Sequence, residues 1–129
     1  MPESADLLGG QDYIDLVGLR FMGAHGVLVQ EWHTPQPFEV DLRVWADLRA
    51  AGQSDDLGDS VDYSLLCEAV RRVVEGPHVS LIERLAQQVA DQVLAVTGGR
   101  ATKVAVTVRK PKAPLPVPFE WVAVHVERP

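Results

Sequence analysis

Cysteine is nearly absent: Cys67 stands alone in 129 residues. No internal disulfide can form, which excludes a disulfide scaffold and suits a reducing compartment. Cys67 falls within an apolar helical pattern, where a packed thiol is expected rather than a nucleophile. Positive charge is also short, with 12 basic against 18 acidic residues and a net charge of −6. That balance argues against nucleic acid or an anionic membrane as partner. No apolar run reaches the length of a membrane span. Residues 1–11 contain no Lys or Arg and do not read as a secretory signal; they read as a flexible tail hinged at Gly9-Gly10. The expected location is the cytoplasm. The four histidines, His25, His33, His78 and His125, show neither H-x-H nor H-x-x-x-H spacing, and no metal site is expected. Dinucleotide, Walker and G-x-S-x-G motifs are all missing.

What is present suffices for one domain, residues 12–129, with a core of its own. Ile14 and Leu16 mark a strand over Tyr13–Met22, followed by a turn in which Gly23 and Gly26 flank His25. Over Phe38–Arg49 apolar and polar residues alternate, the period of a strand with one buried face. Gly52–Ser60 reads as a loop. A helix over Tyr63–Val74 carries Leu65, Leu66, Ala69, Val70, Val73 and Val74 as its stripe and stops at Gly76-Pro77. A second helix, from Ser80, runs to Gly98-Gly99. Strands follow over Thr102–Lys110 and Phe119–Arg128, separated by the stiff proline-rich segment Pro111–Pro118. The order β-β-α-α-β-β favours an α+β fold, a four-stranded antiparallel sheet with two helices on one face. Trp45, Trp121 and Ala123 fall on the nominally wet strand faces, which points to a second covered surface such as a subunit interface.

Few residues suggest chemistry unaided. Lys110 stands where a valine-rich strand meets the proline segment, a place where partial burial can bring an amine into acid–base range. Ser80-Leu81-Ile82-Glu83 matches a capping box, with serine capping the helix and Glu83 returning to the cap amide. The other reading of Glu83 is a carboxylate at a helix start that receives a cyclic amide and an amino group from a ligand. Glu31 is either a general base or a surface carboxylate. Tyr63 either donates a proton or packs.

Taken together, these pieces resemble the bacterial dihydroneopterin aldolases. The resemblance is carried by Gly18-Leu19-Arg20-Phe21, Gly23-Ala24-His25-Gly26, Glu31, Gln36-Pro37-Phe38-Glu39-Val40-Asp41, Asp55-Asp56-Leu57 and Val61-Asp62-Tyr63. The most specific stretches are Leu81-Ile82-Glu83-Arg84-Leu85-Ala86 and Arg109-Lys110-Pro111-Lys112-Ala113-Pro114-Leu115-Pro116. The resemblance implies the tunnelling fold, whose sheets join into a barrel-like ring of four subunits, two rings commonly stacking into an octamer. It implies retro-aldol cleavage of 7,8-dihydroneopterin without cofactor, with 2′-epimerisation as a side activity. Glu83 would anchor the pterin, beside the main chain of Leu81 and Ile82. Lys110 would be the central acid–base residue, oriented by Glu31. Tyr63 and Val61 would come from a neighbouring subunit. The chain departs from the pattern at Pro35, where the family often has glycine before the glutamine, and at Asp62, where a histidine often precedes the tyrosine. The rival readings are a dihydroneopterin (or triphosphate) epimerase and a non-catalytic pterin-binding ring protein.

Overall fold

The computed structural model describes residues 12–129; the tail expected over residues 1–11 lies outside them. Four strands form one sheet: β1 (Tyr13–Gly23), β2 (Gln36–Trp45), β3 (Lys103–Lys110) and β4 (Val122–Arg128), each antiparallel to the next and lying in sequence order. Between β1 and β2 sits a short helix, α1 (Val29–His33). After β2 come another short helix, α2 (Arg49–Ser54), and a 3-10 turn at Leu57–Asp59. The two long helices, α3 (Tyr63–Val74) and α4 (Ile82–Val96), then link β2 to β3.

Burial follows the sequence periods. Phe38, Val40, Leu42 and Val44 of β2 and Val104, Val106 and Val108 of β3 all point to one face and are buried. Leu66, Ala69, Val70 and Val74 from α3 close over that face together with Leu85, Ala86, Val89, Ala90 and Val93 from α4. Removing each such Val or Leu from water is worth roughly 1.5–3 kcal/mol. β1 reaches the same core only by changing phase. Its inward residues are Ile14 and Leu16, then Leu19 and Phe21, because a bulge at Val17-Gly18 sets two residues opposite Asp41. Gly18 takes the left-handed conformation the bulge requires, at φ +73°, and its amide donates to Asp41 Oδ1 at 2.8 Å.

The opposite sheet face is a cross-strand charge ladder. The Arg43 guanidinium grips Asp15 through two bonds of 2.8 and 3.0 Å and lies 3.8 Å over the Tyr13 ring. Arg109 joins Glu39 and Asp41. Lys103 pairs with Glu127 at 2.8 Å and lies over Trp45. The aromatic residues Tyr13 and Trp121 remain about half exposed here.

Several boundaries differ from expectation. β2 ends at Trp45 rather than Arg49: Asp12 takes the Ala46 amide on its carbonyl and the Leu48 amide on its carboxylate, and the chain turns into α2. The expected loop over Gly52–Ser60 therefore contains the end of α2 and the 3-10 turn, capped by Asp56 on the Gly58 amide. β4 opens at Val122, the partner of Lys110, so Phe119–Trp121 belong to the proline-rich connection. Among the described residues no helix is long and apolar enough to cross a membrane.

Candidate active site

Lys110 is the last residue of β3 and keeps the phase of Val104, Val106 and Val108. Its side chain therefore enters the helix-covered face, and the residue is only 7% exposed. There its Nζ meets Glu31 Oε2 at 2.7 Å, with both side chains nearly buried. Two opposite charges so enclosed depend on one another; removing either leaves the other uncompensated in low dielectric.

Glu31 comes from α1. It stands three residues past Leu28, and its Oε1 reaches back to accept from the Leu28 amide at 3.3 Å, the carboxylate half of a capping arrangement. Its Oε2 also accepts from Gln36 Nε2 at 3.1 Å. The carboxylate has room because residue 26 is glycine: a Cβ there would fall 2.2 Å from Glu31 Oε1. Burial raises the Glu31 pKa, but the hydrogen bonds from Lys110, Gln36 and Leu28 outweigh it and hold the group below the ordinary carboxylate value. Glu31 is therefore an ionised acceptor at neutral pH. The substitution of Pro35 for the usual glycine does not draw this loop away from Lys110.

His25 is fully buried behind the pair. Its Nε2–H donates to the Val74 carbonyl, at the end of α3, at 2.7 Å, and its Nδ1 accepts from the Val79 amide at 3.1 Å. Those partners define a neutral ring with the proton on Nε2. Burial is the main reason its pKa falls below 6.5, with the charges of His78 and Lys110 adding to it against the Val74 bond. The His78 and Trp32 rings both donate to the Gly26 carbonyl, while the Gly26 amide donates to the Val79 carbonyl. His25 and Gly26 thus tie together the end of α3, the approach to α4 and the loop leading to Glu31. The sequence marked His25 only as a turn residue. The available signal was its flanking glycines, since a Cβ at Gly23 would meet the Val74 carbonyl oxygen at 2.4 Å.

The capping box expected at Ser80 does not form. Leu81 is the N-cap, extended at φ −116° and ψ 137°, and α4 begins at Ile82. Glu83 is then the second helical residue, one short of the third position a capping box uses, and its carboxylate is exposed in the first turn. Leu81 is half exposed and Ile82 is nearly buried. Because Val79 bonds to His25 and Gly26, this first turn lies at the same end of the subunit as Lys110 and Glu31.

Tyr63 and Val61 are not brought there. Tyr63 starts α3, whose far end holds His25, so it lies roughly 16 Å away along the helix axis. Val61 is buried in a cleft with Ser60, Leu65, Val96 and Thr97, beside the end of α4. Tyr63 is 67% exposed. Asp62 caps α3, accepting from the Ser64 amide at 2.9 Å and its hydroxyl at 2.6 Å. The Ser64 side-chain bond, then the backbone bond, holds the Asp62 pKa below the usual carboxylate range. Among the described residues, no three His, Cys, Asp or Glu side chains converge so as to hold a metal ion.

Comparison with known proteins identifies the family. A family model described as dihydroneopterin aldolase matches residues 14–127. The chain is 41% identical over 117 residues to the dihydroneopterin aldolase of Streptomyces coelicolor, covering 91% of this chain and 97% of that one. It is 38% identical to the enzyme of the same name from Staphylococcus epidermidis, over 91% and 96% of the two chains. Among solved structures, it resembles the Escherichia coli dihydroneopterin aldolase in complex with neopterin, at a TM-score of 0.83 and 30% identity over 92% of this chain and 100% of that one. Matched by that family model over residues 14–127 and 38–41% identical to these relatives over 91% of its length, this chain belongs to the dihydroneopterin aldolase family.

Proposed function

We propose that this chain is a lyase that cleaves 7,8-dihydroneopterin into 6-hydroxymethyl-7,8-dihydropterin and glycolaldehyde. The observation that carries the residue roles is the buried Lys110–Glu31 pair at 2.7 Å, at the same end as an exposed Glu83. Glu83 would accept the pterin ring N–H and 2-amino group through two parallel bonds, with the main chain of Leu81 and Ile82 along the ring's polar edge.

The reaction removes the 2′-hydroxyl proton and breaks the C1′–C2′ bond. The bonding electrons pass into the ring C=N as its nitrogen is protonated and glycolaldehyde leaves; C1′ of the enamine then takes a proton while the ring nitrogen gives its proton up, which restores the C=N. These are general acid and base tasks, and they require no covalent adduct on Lys110. Ionised Glu31 cannot donate, so it orients Lys110, a water or the substrate hydroxyls. Lys110 and Tyr63 then handle the protons. Re-forming the bond on the other face of the aldehyde would give the 2′-epimer as a side reaction.

Tyr63 and Val61 lie at the wrong end to serve Lys110 of their own chain, which supports a site shared with a neighbouring subunit. The sheet ends in two edge strands, β1 and β4, which favour pairing between copies into a closed ring or a stacked pair of rings. Residues 12–129 act as one domain in this reading, and the lone cysteine suits the cytoplasm. The test is anaerobic incubation with 7,8-dihydroneopterin beside Lys110→Ala. Release of 6-hydroxymethyl-7,8-dihydropterin by the wild type and little by the variant is expected. An epimer without cleavage would move the assignment to epimerase, and an unchanged substrate would leave a pterin-binding module.

A further inference from the structure

We infer that Gln36 is a positioning residue of this site. Its amide nitrogen holds Glu31 against Lys110, and its amide oxygen receives a hydroxyl of the substrate's side chain; this rests on the aldolase reading.

The orientation of the amide is dictated by its neighbour. An ionised carboxylate only accepts, so the NH₂ group of Gln36 must face Glu31, and Nε2 lies 3.1 Å from Oε2. That same oxygen receives Lys110 at 2.7 Å, while Oε1 receives the Leu28 amide at 3.3 Å. Glu31 is thus fixed by three donors from three segments, and Gln36 supplies the only one of the three that is a neutral side chain. With the nitrogen committed, the Gln36 Oε1 must point elsewhere. It is buried, and it is the single buried side-chain polar atom without a hydrogen-bond partner among the described residues.

A desolvated acceptor left empty costs roughly 1–3 kcal/mol, and native proteins rarely keep one without a use. Gln36 and Glu31 share the wall of an open cavity of about 290 Å³, with Gln30, Thr34 and Lys112 also lining it. Each of those three could donate, yet none satisfies Oε1. Its partner therefore comes from outside the described residues and must carry a donor. The trihydroxypropyl side chain of dihydroneopterin brings hydroxyls to the neighbourhood of Lys110 and Glu31, where the 2′-hydroxyl must lose its proton. A hydroxyl held on Gln36 would fix the side-chain torsion that aligns C1′–C2′ with the ring C=N.

The test compares Gln36→Met, which keeps the length but neither polar atom, with Gln36→Glu, which places a carboxylate against Glu31. Lys110, Glu31 and Lys112 are the charged groups that face the substituted side chain. Two ligands are used: 7,8-dihydroneopterin for turnover, and 6-hydroxymethyl-7,8-dihydropterin, which lacks the cleaved hydroxyls, for binding. Gln36→Met is expected to lower kcat roughly 10- to 100-fold and raise KM, with the Kd of the hydroxymethylpterin unchanged. Gln36→Glu should be weak at neutral pH. Its activity relative to wild type should recover as pH falls through the carboxylate range, when the introduced carboxyl gains a proton to donate to Glu31. Wild-type kcat and KM in Gln36→Met would overturn the inference. So would loss of hydroxymethylpterin binding in step with kcat, or a Gln36→Glu to wild-type ratio flat across pH. A wild type that binds the pterin but turns nothing over would instead remove the aldolase reading, and this inference with it.

Discussion

The two ends of the subunit are built on opposite principles. At one, Lys110, Glu31 and His25 are buried and bonded to partners in the same chain. At the other, Val61 and Tyr63 sit at the start of α3, with the tyrosine ring two-thirds in solvent. The first end is locked before any substrate arrives; the second presents the Tyr63 side chain for something else to meet. A helix that fixes one end of a site through its last carbonyl cannot also deliver its first residue to that end. The division therefore follows from the length of α3.

The largest effect should come from the locked end. Lys110→Ala should lower kcat roughly 100- to 10,000-fold. Tyr63→Ala should also impair turnover while leaving Lys110 and Glu31 in place. Refolding these two variants together then separates a shared site from a private one: activity should return to a sizeable fraction of wild type in the mixture. Two variants that remain inactive when mixed would mean that each chain completes its own site.

His25→Leu should reduce unfolding free energy by roughly 2–4 kcal/mol, because it leaves the Val74 carbonyl and the Val79 amide unmet; urea denaturation measures this. The same ring sets a pH dependence. Its folded pKa lies below its ordinary value of 6.5, so the unfolded chain takes up the proton first. Its stabilising contribution is full above that value and drains away as pH falls toward the folded pKa. Glu31 adds a more acidic window, since its stabilising contribution is lost as pH falls below 4.5 toward its own depressed value. The urea midpoint should accordingly fall in two stages on acidification, and His25→Leu should erase the first.

Smaller effects belong to the open end and the sheet surface. Asp62→Ala should lower Tm modestly through loss of the α3 cap. Arg43→Met, on the charged face of the sheet, should lower Tm least of all, by an amount that shrinks as salt is added.

Much of this division was legible in the sequence, and the gaps have physical causes. Alternation over Phe38–Val44 and Val104–Val108 located the central strands, and the stripes of α3 and α4 located the helices, because each depends on local period alone. The phase change at Gly18 was not visible in Ile14 and Leu16; it becomes visible only when Leu19 and Phe21 are counted on the same face. Ser80 and Glu83 misled because their spacing fits a cap, whereas the backbone stays extended through Leu81 and starts the helix later. Lys110 and Glu31 were both named, but their contact spans most of the chain and no periodicity encodes it. His25 and Gln36 acquire their roles entirely from such distant partners, which is why one looked like a turn residue and the other like part of a motif.

Under the proposed sharing of the site between copies, the separation of its two halves would also set a rule of counting. An open string of n copies joined end to end completes n − 1 sites and leaves one unmatched half at each extremity. Only closure of the string matches them and brings the tally to n. Specific activity per chain would then rise with assembly size and level off at ring closure, so that turnover itself reports the architecture.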